Sequence, residues 1–406
     1  MPRRTHRPPV SALLRRAIGV SLLVVSLAAP GTAGAPALPA DDDPPTAAWK
    51  LAVWRHIPGK ADGALQTAAD IPYWRAANAL KGKDALDDRR FLIRALILHT
   101  DLAIVQRQTA ERRGTSAADE RADGGSFVLA DGHATGRRQG SPHWSVAMQV
   151  AVILATWRAP ESRRNPDATP DAETRRIALS WFHTVNALFL HWGEGSLRYA
   201  DTGLLHYPGD AVLHLYLGTV HQMYANGRVQ QFISASAEGR GAANAPQTAS
   251  VELARAETDL RRALALDPTL AEARIRLAHV VGDLGRHDEA IGLVEDALRA
   301  TLPPFFQTYA TLILGRNQTR VGRLDQARTA FDRAAILAPT AQAPRIGRSQ
   351  VALMAGRPAD ALSALTDVLG PDRPPAEAPA EAWAIYFRVH DPVATEQLAT
   401  LRSEVR

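Results

Sequence analysis

The stretch AEARIRLAHVVGDLGRHDEAIGLVEDALRA, residues 271–300, reads as two helical runs joined at Gly285. The first run contains Leu277 and Ala278. The second carries Ala290 and Ala297, seven residues apart and so on one helix face. The same columns recur down the chain. Gly285, Gly322 and Gly356 are separated by 37 and 34 residues, as are Ala290, Ala327 and Ala361, and Ala297, Ala334 and Val368. The three surplus residues of the wider interval fall at one place, the Pro303-Pro304 junction. Toward the N-terminus, Ala256 precedes Ala290 by 34 and Ala263 precedes Ala297 by 34, with Pro268 where the unit ends. Leu217-Gly218 precedes Leu277-Ala278 by 60, one period plus 26 residues, a surplus that falls on the Gly/Ala/Ser/Asn-rich stretch 228–249. A loop is therefore expected inside one helix pair. Thr184 lies one further period before Gly218, and Pro208 closes that earlier unit.

Two helices that cross closely need small residues where their backbones meet, which accounts for the Ala and Gly columns. Gly285, Gly322 and Gly356 end first helices, where a left-handed residue is cheap only for Gly. Pro268 and Pro339 stop second helices. A single pair buries only part of its apolar face, so pairs stack into a solenoid.

A period of 34 with this pattern resembles the tetratricopeptide repeat over roughly 177–370. Leu277-Ala278 and Leu314-Gly315 take the family's Leu-Gly place; Phe331, Ala334 and Pro339 follow in register. Three repeats are clear and the count extends to five, with degenerate units at 177–208 (His183-Thr184 in that place) and after 342 (Arg348 in place of Leu). The resemblance implies an all-α solenoid that binds protein or peptide in a concave groove lined by first helices. In the family's register the groove-facing side chains are Arg276, His279 and Asp283, then Tyr309, Leu312, Arg316 and Arg320, then Ile346 and Gln350. Arg276, His279, Tyr309, Arg316 and Arg320 are the candidate peptide-binding residues, because guanidinium groups fork onto carboxylates of an acidic segment. Relatives that hold peptide C-termini use Lys and Asn in this groove; those residues are missing here, so that ligand is not carried over.

The ends of the chain give a second set of expectations. Residues 1–35 hold Arg3, Arg4, Arg7, Arg15 and Arg16 and no acid, then the uncharged run Ala17–Ala29 and the small residues TAGAPALPA. Thirteen apolar residues suit a secretory signal and fall short of the ~20 needed to span a membrane. Cleavage is expected after Ala33 or Ala37, and Arg15-Arg16 fits a twin-arginine signal only in part. Without the leader, Lys+Arg falls from 47 to 42 against 42 Asp+Glu, so the excess of +5 belongs to the leader. That removes the main support for nucleic-acid binding and places the protein in the periplasm or outside the cell. No Cys is present, which excludes disulfides, thiolate nucleophiles and a lipidated Cys anchor.

Between the leader and the repeats, 36–45 reads as a linker and 46–170 as an N-terminal helical domain. It has a long helix over 87–112 capped by Asp87 or Asp88, with Phe91, Ala95, Leu98, Leu102 and Val105 as its apolar stripe. Phe127–Gly132 reads as a small hairpin, and Ser141-Pro142 opens another helix. Trp49, Trp54, Trp74, Trp144 and Trp157 are expected in the core. The solenoid is expected over 171–370, and 371–406, with Trp383, Ile385, Tyr386 and Phe387, as a helical cap covering the last repeat.

The sequence has no HExxH, P-loop, GxSxG or dinucleotide-binding motif, and the reading is a non-enzymatic scaffold without cofactor. The competing reading is an exported enzyme or metal-binding protein. It would use His183, His214 and His221, which stand where repeats place packed apolar residues, with His191 and His206 nearby. Asp131, His133 and His143 form a second, looser cluster.

Overall fold

In the computed structural model, Gly285, Gly322 and Gly356 have φ of 85°, 78° and 71°. After each, the next amide reaches back into the helix: Arg286 N–H to Val281 C=O, Arg323 to Gln318 and Arg357 to Ala352, all at 2.9 Å. These are the bonds of a left-handed helix stop. They close three hairpins: α11 (Ala271–Asp283) with α12 (His287–Leu298), α13 (Pro304–Arg320) with α14 (Leu324–Leu337), and α15 (Gln342–Met354) with α16 (Pro358–Leu369). The structure describes residues 42–113, 141–165, 167–191, 196–226, 248–339, 341–369 and 390–405. The leader, the hairpin expected at 127–132, the inserted 228–249 loop (apart from residues 248 and 249) and Trp383–Phe387 lie outside the described residues.

The described residues are all-helical. The three hairpins are preceded by α7 (Ala172–His191) with α8 (Leu197–His206), and α9 (Ala211–Tyr224) with α10 (Ala249–Leu266). The α9–α10 pair packs together across the inserted segment. Each second helix packs on the first helix of the next pair, and first helices also touch one another along the inner side. Ala256, Ala263, Ala290, Ala297, Ala327 and Ala334 are completely buried, as the small-residue columns require. The tightest approach is around Phe331. A β-carbon on Gly315 would stand 2.9 Å from that ring and one on Gly347 2.4 Å, so α13 and α15 bring bare backbone against it. Arg348, out of pattern in sequence, points outward to Asp332 at 2.9 Å.

Before the repeats come α1 (Pro44–Arg55), α2 (Gly63–Asp70), α3 (Tyr73–Ala79), α4 (Lys83–Asp87), α5 (Arg89–Arg113) and α6 (Pro142–Ala155). Asp88 caps α5 through the Phe91 amide at 3.0 Å, and the Ser141 hydroxyl accepts from the His143 amide at 3.2 Å. The stripe Phe91, Ala95, Leu98 and Leu102 is buried. Helices α5 and α6 pack as another pair, and α6 leans on α7 as second helices do elsewhere. The boundary expected near 170 does not divide the core. One cluster runs from Trp49 through Trp144 and Trp181 to Met223, and Trp181 donates to Thr100 at 2.9 Å. Trp74 departs from expectation: it is half-exposed, with Arg75 stacked 4.9 Å from its ring.

The last helix, α17 (His390–Ser403), overturns the expected cap on the final repeat. It packs on α7, and its Ala394 and Leu401 join the first core cluster. The physical reason is that α7 and its neighbours offer a continuous aromatic and aliphatic surface together with a buried carboxylate, Asp101, that Arg402 neutralises. Among the described residues, no helix is long and apolar enough to cross a membrane.

Candidate functional site: the inner face of the repeats

First helices present their free side to the inner face of the stack. On α11 and α13 that side carries a linked polar group. Arg316 donates to Asp283 at 2.6 Å and to His279 Nε2 at 3.2 Å. His279 Nε2 also lies 3.3 Å from the second Asp283 oxygen, and its Nδ1 meets the Tyr309 hydroxyl at 2.6 Å. Burial depresses the His279 pKa, with Arg316 and Arg276 adding to it against Asp283, so the ring is neutral. Burial alone would raise the Asp283 carboxyl, but the His279 bond and Arg316 hold it below the usual range.

The structure thus brings His279, Tyr309 and Arg316 together, with Asp283. Tyr309 is buried and positions His279 rather than facing solvent, whereas Arg316 stays 39% exposed. Arg320, one turn on, is exposed and pairs with no described residue. By repeat equivalence it stands toward the inner side of α15. There Ile346, Leu353 and Met354, at i, i+7 and i+8, are 50%, 58% and 53% exposed, with Gln350 exposed among them. Two cations beside an uncovered apolar stripe make this the open part of the inner face.

Arg276 does not belong to that surface. It is only 1% exposed, with Nε bonded to Glu272 at 2.6 Å and Nη1 3.5 Å from Gln222 of α9. It lies in the α9–α11 seam. The groove position inferred for it from the family register is corrected accordingly.

The histidines expected as a cluster are dispersed. His183 pairs with Asp210 at 2.9 Å, His214 with Asp259 at 3.1 Å, and His221 with buried Glu252 at 2.6 Å. Each imidazole meets its own carboxylate across a helix seam or at a helix cap. Among the described residues no three His, Asp or Glu converge as metal ligands. His143 is buried against His99 instead, Nδ1 to Nδ1 at 3.0 Å; Asp131 and His133 lie outside the described residues.

Sequence reasoning missed a second constellation on the inner face, at the other end of the stack. Asp101 of α5, nearly fully buried, accepts from Arg402 of α17 at 3.0 and 2.5 Å and from the Gly59 amide at 2.7 Å, and meets His56 Nε2 at 2.9 Å. His56 Nδ1 meets Asp62 at 3.1 Å. No local signal could reveal it, because its anchor comes from the far end of the chain.

The tetratricopeptide repeat family profile matches residues 308–333, which fall within α13 and α14. No curated protein matches the sequence. Among solved structures, a chain titled MamA AMB-1 is 17% identical, with 50% of this chain and 96% of that one covered and a TM-score of 0.33. A monomeric IFIT1 mutant with Gppp-AAAA is 13% identical, with 88% and 62% covered and a TM-score of 0.37. Yeast Tom70 is 13% identical, with 88% and 89% covered and a TM-score of 0.29. The helix pairing itself, rather than these likenesses, defines the fold.

Proposed function

We propose that this tetratricopeptide-repeat chain is an exported, non-enzymatic scaffold that holds an acidic, partly apolar segment of another protein against α13 and α15. The observation that carries this reading is the uncovered stripe Ile346, Leu353 and Met354 beside exposed Arg320 and half-exposed Arg316. An apolar stripe gives a bound segment area to bury, and the two guanidinium groups select carboxylates and exclude cations. His279, Tyr309 and Asp283 hold Arg316 in one orientation, which lowers the entropy lost on binding. The Arg-rich leader and its thirteen-residue apolar run support export; N-terminal sequencing of the mature protein should begin after Ala33 or Ala37.

Selection of random peptides displayed against the purified chain tests the binding mode. Selected peptides should carry Asp or Glu flanked by large apolar residues. They should lose binding to a chain carrying Leu353→Asp with Arg320→Glu. Peptides without acids, or binding indifferent to these changes, would remove the site from α13 and α15.

A further inference from the structure

The other half of the inner face is already filled. Helix α17 lies on α7 and reaches the first helices on both sides. Arg402 enters the Asp101 pocket on α5, Glu404 meets Arg176 of α7 at 2.7 Å, and Gln397 bonds Tyr216 of α9. Its inward side is an amphipathic stripe. Ala394 and Leu401 are fully covered, and Leu398 and Val405 pack on the same core cluster. Ala394, Leu398 and Leu401 repeat at i, i+4 and i+7, one helix face, and Val405 continues the spacing in the turn that follows. Thr395, Glu396, Ala399, Thr400 and Ser403 on the other side face solvent. A helix laid in a groove by spaced apolar anchors, with one charge-paired end, has the geometry by which helical ligands dock into proteins.

We propose that the inner face of α5, α7 and α9 is a binding site for an amphipathic helix, and that α17 is its tethered, exchangeable resident. The partner the site fits is a helix with apolar residues at the four spaced positions and an Arg one residue after the third. That Arg must reach a carboxylate that the body has desolvated and aimed. Helix α17 suits the part of resident because it sits on the surface of the stack, with nothing packed over its solvent side among the described residues. Its connection to α16 is the 20 residues 370–389, with Pro at 371, 374, 375 and 379, long enough to reach ~60 Å. Because α17 belongs to the same chain as its site, a free helix competes poorly until the resident is weakened. This site is distinct from the open face at α13 and α15, and its test does not depend on that reading.

The probe is a fluorescent peptide of residues 390–406 added to the full chain. The wild-type chain should bind it weakly, and a chain with Leu401→Asp in its own α17 should bind it at least tenfold more tightly. The same peptide carrying Leu401→Asp should not bind. The native chain has no Cys, so a second variant, Arg176→Cys with Glu404→Cys, is closed by a short bis-maleimide without disturbing the core. Closure should abolish peptide binding that the unclosed variant retains. Equal binding before and after closure, or no binding by any chain that has kept its fold, would overturn the proposal and leave α17 as a fixed part of the core.

Discussion

Two buried histidines show how single residues fix protonation here. The Trp49 indole can only donate, and it does so to His99 Nε2 at 3.1 Å. His99 therefore carries its proton on Nδ1 and donates to His143 Nδ1, which places the His143 proton on Nε2. Burial pushes His99 well below its ordinary pKa, with His143 adding to it, and depresses His143 to about 4. Both rings are neutral in the folded chain, whereas an unfolded His binds a proton below about pH 6.5. Stability contributed by the depressed site is complete above that pH and is lost as pH falls toward the folded value, on the order of 3 kcal/mol for a shift of this size. Thermal melts should show the midpoint falling between pH 7 and 4.5. A His143→Leu variant should start lower but lose less over the same interval. His56 has the opposite sign. Burial alone would lower it, but Asp101 and Asp62 raise it above its ordinary value. Its contribution is complete below the ordinary His pKa and is lost as pH rises through the elevated one. The melting midpoint of the wild type, relative to a His56→Gln variant, should therefore decline on the alkaline side.

At the scale of elements, the repeat columns were legible because helix pairing is a local affair. Gly285, Gly322 and Gly356, and the Ala columns around them, each answer to residues within about forty positions, so a period in the sequence reports a contact in space. Leu at Ala290 or Ala327 would overfill a crossing with no free volume and cost about 1–3 kcal/mol; urea or thermal unfolding of each variant checks it. Ala at Gly347 places a methyl within 2.4 Å of the Phe331 ring. It should destabilise by a similar amount, with recovery when Phe331→Leu is added. Where the periodic reading failed, a non-local contact had taken over. Arg276 stands at a groove position by register, but Gln222 and Glu272 draw it into the seam. His183, His214 and His221 share a neighbourhood in sequence, yet each meets its own carboxylate. Helix α17 has the amphipathic stripe of a cap, but a stripe alone does not say which surface it covers.

The molecule as a whole has two unlike inner surfaces, and each makes its own prediction. On the open face, Arg316→Ala and Arg320→Ala together should cost about tenfold in affinity for an acidic segment, since exposed pairs are worth ~1 kcal/mol or less each. Titration calorimetry against a selected peptide should show wild-type binding weakening with salt and the double variant losing that dependence. Arg276 belongs in neither variant, because removing it would leave Glu272 and Gln222 in a buried seam. At the filled end, Arg402→Ala leaves Asp101 buried with only His56 and the Gly59 amide. Breaking a buried pair from one side should cost about 2–4 kcal/mol. Hydrogen exchange should locate the loss in α1 and α5 rather than in the last repeats.

The span between Asp101 and Arg402 also bears on how the chain comes to be folded at all. Solenoids ordinarily condense one unit at a time, each on its neighbour. Here the pocket on α5 waits for a residue 301 positions later. The apolar surface of the earliest pairs therefore stays unfinished until Ala394, Leu401 and Arg402 are available. Contacts of such separation slow folding, and the incomplete chain is prone to associate through its uncovered core. If the chain is exported unfolded, as one route for the proposed export would have it, that delay would keep the polypeptide from locking shut on the side where it is made, and it would close once Arg402 had followed through.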